Sequence, residues 1–132
     1  MTNKLERLID ANYNRLKEAL RLLEDIQRYI FDNKELSYAF KDLRHSLKSL
    51  YSKEYVLNRD IVNDVSKTST ASEMQRESLL DLIEANFSRA QESSRVLEEA
   101  FKLIDTKKSA TAKEIRYSLY DLHKKVLVGF SK

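Results

Sequence analysis

Apolar residues recur every three or four positions along most of this 132-residue chain. That spacing puts them on one face of an α-helix. We predict four helices from it, over about 4–31, 34–51, 71–104 and 112–130. The stripe of the first helix comprises Leu5, Leu8, Asn12, Leu16, Ala19, Leu23, Ile26 and Ile30, so one of its members is polar.

Capping signals mark the predicted starts of these helices. A side-chain oxygen at the cap and a Glu three residues later satisfy backbone N–H groups that the helix leaves free. The pairs that fit are Asn3 with Glu6, Asp32 with Glu35, Thr70 with Glu73, and Thr111 with Glu114. Residues 53–70 form the longest predicted connection and show no helical period, and connections of that length are usually functional or disordered.

The first and third predicted helices have nearly the same sequence. Leu8–Glu24 aligns with Leu82–Glu98, and "FKDLRHSL" from Phe40 aligns with "AKEIRYSL" from Ala112. Each hairpin has an apolar face that it cannot bury alone, and packing the two together buries both. We therefore predict one all-α domain over 1–132, with a first repeat over about 3–52, a loop over about 53–70 and a second repeat over about 71–131. Its expected architecture is an antiparallel four-helix bundle of two tandem hairpins related by a pseudo-two-fold axis.

Composition and charge support a helical protein without a nucleic-acid or membrane partner. The chain has one Gly, no Pro and no Cys, so little in it interrupts a helix. Lys and Arg number 24 against 21 Asp and Glu, and the two signs alternate instead of forming a basic patch. No apolar run approaches the roughly 20 residues of a membrane span, and the N-terminus lacks a signal sequence. We expect a cytoplasmic protein.

Asn12 and its counterpart Asn86 are the first candidate site residues. Each lies within an apolar stripe, where an unsatisfied amide costs about 1–3 kcal/mol. Each amide must therefore bind the other asparagine, a backbone group or a ligand. Arg15 and Arg89 follow three residues later at the edge of the same stripes and can offer guanidinium groups to a phosphate. A purely structural role in fixing helix register is equally open.

Other repeated charges allow two interpretations. Arg44 and Arg116 border the apolar faces of the second and fourth helices. They could donate hydrogen bonds to a phosphate, or they could simply extend their side chains to solvent. Glu18, Arg21 and Glu24, with their counterparts Glu92, Arg95 and Glu98, are expected to be solvated ion pairs. His45 corresponds to Tyr117, which argues against a paired ligand.

The predicted loop contains Arg59, Asp60 and Asp64, followed by Lys67. Mg²⁺ often takes one or two carboxylates and leaves its other positions to phosphate oxygens and water. The two aspartates could hold such an ion, or they could form turns and caps, as loop aspartates commonly do.

Several segments together resemble a known family. "RLIDANYNRLKEALRLLED", "LRHSL", "NRDIVNDV" and "ANFSRAQESSRVLEE", in this order and spacing, are similar to the ThiD2-type hydroxymethylpyrimidine-phosphate kinase family. Its members are free-standing proteins or N-terminal extensions of thiamine-phosphate synthase. The resemblance covers nearly the whole chain. It implies an enzyme of thiamin biosynthesis that phosphorylates hydroxymethylpyrimidine phosphate to its diphosphate, with ATP as co-substrate and Mg²⁺ as cofactor.

On this resemblance each candidate residue receives a role. Arg15, Arg44, Arg89 and Arg116 would bind phosphates, Asn12 and Asn86 would bind the pyrimidine, Asp60 and Asp64 would hold Mg²⁺, and Arg59 would stabilise the transferred group. The loop departs from the family form R-D-x-x-G-D-x-G-T, because Asn63, Ser66 and Lys67 replace Gly, Gly and Thr. The alternative function is a non-catalytic helical module that binds a separate thiamine-phosphate synthase or forms a homodimer.

Overall fold

The computed structural model describes residues 2–71 and 73–130, and over these residues it is helical with no strand. Its five α-helices are α1 (Thr2–Asp25), α2 (Lys34–Ser46), α3 (Lys53–Leu57), α4 (Leu79–Phe101) and α5 (Thr106–Phe130). One π-helical turn, Ile26–Ile30, extends α1, and one 3₁₀ turn, Leu47–Leu50, extends α2. The predicted all-α class is confirmed. In the described part of the chain, no helix has both the length and the apolar character needed to cross a membrane.

The helices pack as two hairpins joined along α1 and α4. Contacts are most extensive between α1 and α4, and α2 and α5 pack on their outer sides and also meet each other. Glu24 of α1 pairs with Arg44 of α2, and Glu98 of α4 pairs with Arg116 of α5. One continuous apolar core fills the space between the helices. Phe40 of α2 lies against Phe87 of α4, with ring centroids 5.8 Å apart.

Six corresponding positions of the two repeats are buried in both. Ile9, Tyr13, Leu16, Ala19, Leu23 and Glu24 of α1 are all buried, as are Ile83, Phe87, Ala90, Ser93, Leu97 and Glu98 of α4. The buried face of α1 is wider than the predicted stripe, because it also includes Asp10 and Gln27. Leu8 and Ile30, at the edges of that stripe, are exposed instead.

All four predicted cap residues differ from the structure, although α2 does begin at the predicted Lys34. Asn3 lies inside α1, which begins at Thr2. Asn33, not Asp32, caps α2 by accepting a hydrogen bond from the Leu36 N–H, and Asp32 has a positive φ of 51° in the turn before it. Ser78, not Thr70, caps α4. Thr111 lies inside α5, which begins at Thr106. Several residues near each start carry an oxygen that can cap a helix, so the position at which the chain turns decides which one is used.

The connection between the hairpins also differs from its prediction. It begins with α3, which Ser52 caps, and then continues without regular helix over 58–71 and 73–78. The hydroxyl of Thr70 does accept a hydrogen bond from the Glu73 N–H, at 3.4 Å, but no helix follows it. Ile61 and Val65 of this loop are 71% and 100% exposed, so neither anchors it in the core.

Candidate functional site

A cleft of about 500 Å³ lies between α1, α4 and the connecting loop, and we call it the Arg15–Arg89 cleft. Its walls are formed by Asn12, Arg15, Ser66, Glu73, Ala85, Ser88, Arg89, Glu92, Ser93 and Val96. Three of the six predicted binding residues therefore meet here, because packing α1 against α4 brings Asn12 and Arg15 of the first repeat next to Arg89 of the second. Arg44, Asn86 and Arg116 lie elsewhere.

Asn12 and Asn86 are both buried and satisfy their amides inside their own helices. The Asn12 Nδ2 donates to the Leu8 carbonyl at 3.0 Å, and the Asn86 Nδ2 donates to the Leu82 carbonyl at 2.9 Å. Of the alternatives open from the sequence, the structure thus shows a backbone partner. The asparagines differ in one respect, since Asn12 borders the cleft and also accepts a hydrogen bond from Arg15 at 3.5 Å.

Arg15 and Arg89 are exposed, and within the described residues neither forms an ion pair with a carboxylate. Arg15 donates only to the neutral amide of Asn12. A guanidinium without an anionic partner keeps its capacity for charge-assisted hydrogen bonds to a phosphate. These two arginines are the predicted binding residues best placed to receive an anionic ligand.

A second cleft of about 350 Å³, the loop cleft, adjoins the first and shares Arg15 with it. Its lining comprises Lys4, Arg7, Leu8, Asp10, Ala11, Asn14, Arg15, Arg59, Asp60, Ile61 and Asp64. The three loop residues singled out from the sequence, Arg59, Asp60 and Asp64, are therefore brought together. Arg15 lies at the boundary between Arg59, Asp60 and Asp64 on one side and the Arg15–Arg89 cleft on the other.

Arg59 binds the protein itself. Its Nε and Nη2 donate to the two carboxylate oxygens of Asp10 at 2.6 and 2.8 Å. The Asp10 side chain is only 5% exposed, and the hydrogen bond to it raises the pKa of Arg59. Arg7 adds a hydrogen bond to the Asp60 carbonyl at 3.0 Å. These contacts fasten the start of the loop to α1, so Arg59 has a structural partner where sequence reasoning gave it a catalytic role.

Asp60 and Asp64 both organise turns. The Asp60 carboxylate accepts hydrogen bonds from the side chain and the backbone N–H of Asn63, which lower the pKa of Asp60. The Asp64 carboxylate accepts from the Ser66 N–H at 2.9 Å. No group of three or more His, Cys, Asp or Glu residues suited to a metal ion occurs over 2–71 and 73–130. Asp60 and Asp64 thus form hydrogen bonds within the loop, and Mg²⁺ as the cofactor stays a prediction from the sequence.

Arg44 and Arg116 are each committed to a buried glutamate. The Arg44 Nε lies 2.9 Å from Glu24, and the Arg116 Nη2 lies 2.9 Å from Glu98. The glutamate side chains are 5% and 6% exposed, so the expectation that Glu24 and Glu98 are solvated is wrong. A buried carboxylate needs a cationic partner, and the opposite helix of each hairpin supplies it.

Sequence reasoning missed the hydroxyls of the Arg15–Arg89 cleft. Ser93 replaces Ala19 of the first repeat within the apolar stripe, and Ser88 precedes Arg89. The Ser93 hydroxyl donates to the Arg89 carbonyl at 2.7 Å, which leaves its oxygen free to accept. A small polar residue at a stripe position of only one repeat was the available signal.

Comparison with known proteins gives one family model and relatives that share one name. A family model described as the ThiD2 family matches residues 7–125. Thiamine-phosphate synthase of Parasynechococcus marenigrum is 38% identical over 129 residues, which cover 97% of this chain and 37% of the relative. Thiamine-phosphate synthase of Synechocystis sp. is 38% identical over 124 residues, or 93% of this chain and 36% of the relative. This chain thus spans little more than a third of the length of these relatives. No solved structure matches it.

These relatives correct one expectation and confirm another. Phosphorylation of hydroxymethylpyrimidine phosphate with MgATP, expected from the resemblance, is contradicted, because the relatives bear the name thiamine-phosphate synthase and not that of a kinase. The expected link to thiamin biosynthesis and to thiamine-phosphate synthase is supported. Since the ThiD2 family model matches most of the length of this chain, the chain belongs to the ThiD2 family.

Proposed function

We propose that this chain acts in the formation of thiamine phosphate by binding a phosphorylated compound of that reaction in the Arg15–Arg89 cleft. The observation that carries the proposal is a pair of arginines, Arg15 and Arg89, on facing helices of one cleft, neither of which pairs with a carboxylate over 2–71 and 73–130. The family region matched here forms part of proteins named thiamine-phosphate synthase. Because this chain spans about a third of those relatives, the proposal concerns ligand binding and not their whole reaction.

The chemistry of the cleft fits thiamine phosphate itself. Two guanidinium groups match a phosphate in charge and in hydrogen-bond geometry. Glu73 and Glu92 line the same cleft and supply negative charge for the cationic ring of thiamine. The apolar side chain of Val96 offers a surface for the uncharged part of the ligand. Hydroxymethylpyrimidine phosphate has the same phosphate but no cationic ring, so it should bind more weakly.

Calorimetric titration tests this assignment. Thiamine phosphate should bind the parent protein, and Arg15→Gln and Arg89→Gln should each weaken binding about tenfold or more, since each removes a charge-assisted contact. Lys17→Gln is the matched control, because Lys17 is an exposed cation of α1 that lines neither cleft, and it should change the Kd less than twofold. If all three variants bind as the parent does, the cleft is not the site.

We also propose the finer architecture expected from the repeat, two hairpins packed about a pseudo-two-fold axis. Its support is the shared burial of corresponding residues and the recurrence of one ion pair, Glu24–Arg44 and Glu98–Arg116, in both hairpins. An experimental structure in which the hairpins superpose with Asn12 on Asn86 would test it. Association with a separate thiamine-phosphate synthase, or as a homodimer, stays a prediction.

A further inference from the structure

A cavity lies where the π-helical turn after α1, the start of α2 and the end of α5 meet, and we call it the Gln27 cavity. Its volume is about 220 Å³. Besides Gly129, its lining consists of Gln27, Phe31, Asn33, Leu36, Val126 and Phe130. None of these residues lines the Arg15–Arg89 cleft or the loop cleft, so a ligand here would be independent of the proposed function.

Gln27 is a buried polar residue at a position where the second repeat has an aromatic ring. Extending the alignment of Leu8–Glu24 with Leu82–Glu98 by three residues pairs Gln27 with Phe101. Phe101 is fully buried and packs against Tyr55, with ring centroids 6.3 Å apart. Gln27 is also buried, at 4% exposed, but its side chain is polar. The first repeat thus carries an amide beside a cavity at the position where the second repeat carries a ring.

The side-chain amide of Gln27 forms no hydrogen bond with any other residue of 2–71 and 73–130. Its backbone carbonyl, by contrast, accepts from the Asn33 N–H at 2.8 Å. The Asn33 Oδ1 accepts from the Leu36 N–H at 2.9 Å, which leaves the Asn33 Nδ2 as a second donor. Buried polar groups nearly always have a hydrogen-bond partner. An amide kept unpaired in an otherwise apolar lining therefore points to a ligand that supplies the missing hydrogen bonds.

The π-helical turn shapes the outer part of this cavity. The Phe31 N–H donates to the Ile26 carbonyl at 3.2 Å, in the hydrogen-bond pattern of a π-helix. Such turns are rare and frequently occur at functional sites. Phe31 meets Phe130 of α5 edge to face, with ring centroids 5.9 Å apart. Because both rings are 40% exposed, they form the solvent-facing wall of the cavity.

Size and charge restrict the ligand. The lining residues carry no charge, so an ion would lose its hydration here without gaining a counter-charge. An apolar cavity of about 150 Å³ accommodates one benzene ring, so this larger cavity accommodates a ring with a small substituent. Phe31, Leu36 and Val126 supply apolar contacts for the ring.

The polarity of Gln27 defines the substituent. Its side chain offers N–H donors and a carbonyl acceptor in one plane. A single group that pairs with both at once is a second amide with its N–H and C=O on the same side. Primary carboxamides and lactams have that arrangement.

From these features we propose that the Gln27 cavity binds a small uncharged aromatic carboxamide or lactam. The ring of the ligand packs on Phe31, Leu36 and Val126, and its amide forms hydrogen bonds with the Gln27 side chain through both its N–H and its oxygen. A carboxylate analogue brings a charge and lacks the N–H. A plain hydrocarbon ring fills the space but leaves the amide of Gln27 unpaired.

A titration followed by ¹⁵N–¹H NMR tests the proposal with three probes, namely benzamide, benzoate and toluene. Benzamide should shift the side-chain amide signal of Gln27 and the backbone amide signals of Leu36 and Gly129 in a saturable way. It should bind about tenfold or more tightly than benzoate or toluene, because only benzamide is uncharged and pairs with the Gln27 amide. Absence of saturable shifts at these signals, or equal affinity of toluene and benzamide, would overturn the proposal.

A matched pair of variants separates recognition of the amide from filling of the cavity. Gln27→Met keeps an unbranched side chain but removes the amide, so it should weaken benzamide binding about tenfold or more and leave toluene binding equal or tighter. Gln75→Met makes the same change at an exposed position of the connecting loop and should leave the Kd for benzamide within about twofold. Equal weakening of benzamide and toluene by Gln27→Met would show that the amide is not recognised and that the assigned ligand class is wrong.

Urea unfolding checks that the variant remains folded. Gln27→Met should be at least as stable as the parent protein, because it replaces an unpaired buried amide with an apolar group.

Discussion

The two hairpins use the same acidic position in different ways. Asp10 of α1 and Glu84 of α4 correspond in the repeat, and each binds a basic side chain. Asp10 is 5% exposed and holds Arg59 of the connecting loop with two hydrogen bonds. Glu84 is 45% exposed and binds His123 of α5 at 2.7 Å. The first repeat thus fastens the loop to the bundle, whereas the second repeat fastens its own second helix.

A second corresponding pair is conserved between the hairpins but differs in its surroundings. Glu24 has Arg44 as its cationic partner, while Glu98 has both Arg116 and Arg95, at 2.9 and 3.0 Å. The buried carboxylate is kept in both hairpins because each hairpin needs one pairing between its helices. Arg21, the counterpart of Arg95, pairs with Asp25 instead, at 3.5 Å, and that difference predicts unequal responses to the same substitution.

Breaking the buried ion pairs should give the largest effect. Arg44→Met should lower the free energy of unfolding by about 3–5 kcal/mol, because Glu24 then stays buried without a cation. Arg116→Met should cost about 2 kcal/mol, since Arg95 still donates to Glu98. Urea unfolding followed by circular dichroism measures both values.

A matched double variant controls for the loss of packing. Glu24→Leu combined with Arg44→Met removes the charge together with its partner and should recover most of the lost stability. If Arg44→Met and Arg116→Met cost the same, the contact from Arg95 contributes nothing and the comparison between the glutamates fails.

Neutralising the corresponding acids should give a smaller and unequal effect. Asp10→Asn should cost about 1.5–3 kcal/mol, because two charge-assisted hydrogen bonds to Arg59 are weakened at a buried position. Glu84→Gln should cost less than about 1 kcal/mol, because that pair is partly exposed and screened by solvent. Hydrogen exchange at residues 58–61 should also speed up in Asp10→Asn and stay unchanged in Glu84→Gln. Faster exchange in both variants would show that the stability of the loop does not depend specifically on Asp10.

Replacing the two asparagines distinguishes a structural amide from a binding one. Asn12→Leu should weaken thiamine phosphate binding about tenfold, or ~1.4 kcal/mol, because Asn12 lines the cleft and positions Arg15. Asn86→Leu should leave the Kd nearly unchanged, since Asn86 does not line that cleft. Calorimetric titration of both variants decides between these outcomes. An equal loss of affinity in the two variants would show that Asn86 also contributes to the binding site, as predicted from the sequence.

The smallest expected effect concerns two carboxylates whose pKa values are lowered by different neighbours. Hydrogen bonds from Asn63 lower the pKa of Asp60, and a hydrogen bond from Lys102 lowers that of Glu99. A depressed pKa means stability that is present above the ordinary pKa and is lost as pH falls through the depressed value. Salt at 1 M should raise the pKa of Glu99 more than that of Asp60, because salt screens Lys102 and Arg95 beside Glu99, whereas at Asp60 it screens only the smaller effect of Arg7 and not the hydrogen bonds from Asn63. NMR titration of the two carboxyl groups measures the difference, and Asn63→Ala should raise the pKa of Asp60.

Several features of this protein could be predicted from residues near one another in the chain. The apolar period predicted the all-helical class, and the repeat predicted that several corresponding residues are buried in both hairpins. The burial of Asn12 and Asn86 followed from their place in the stripes. The start of α2 at Lys34 was predicted, but its cap residue was not, because Asp32 and Asn33 are both good caps and only the path of the chain selects one of them.

The candidate site was decided by tertiary structure. Arg15, Arg44, Arg89 and Arg116 all border apolar faces and could not be told apart in the sequence. Packing within each hairpin places Glu24 opposite Arg44 and Glu98 opposite Arg116, whereas packing of α1 on α4 leaves Arg15 and Arg89 beside an open cleft. Helical periodicity fixes the direction of a side chain on its own helix, but the charge it meets is set by the distance and rotation of the neighbouring helix.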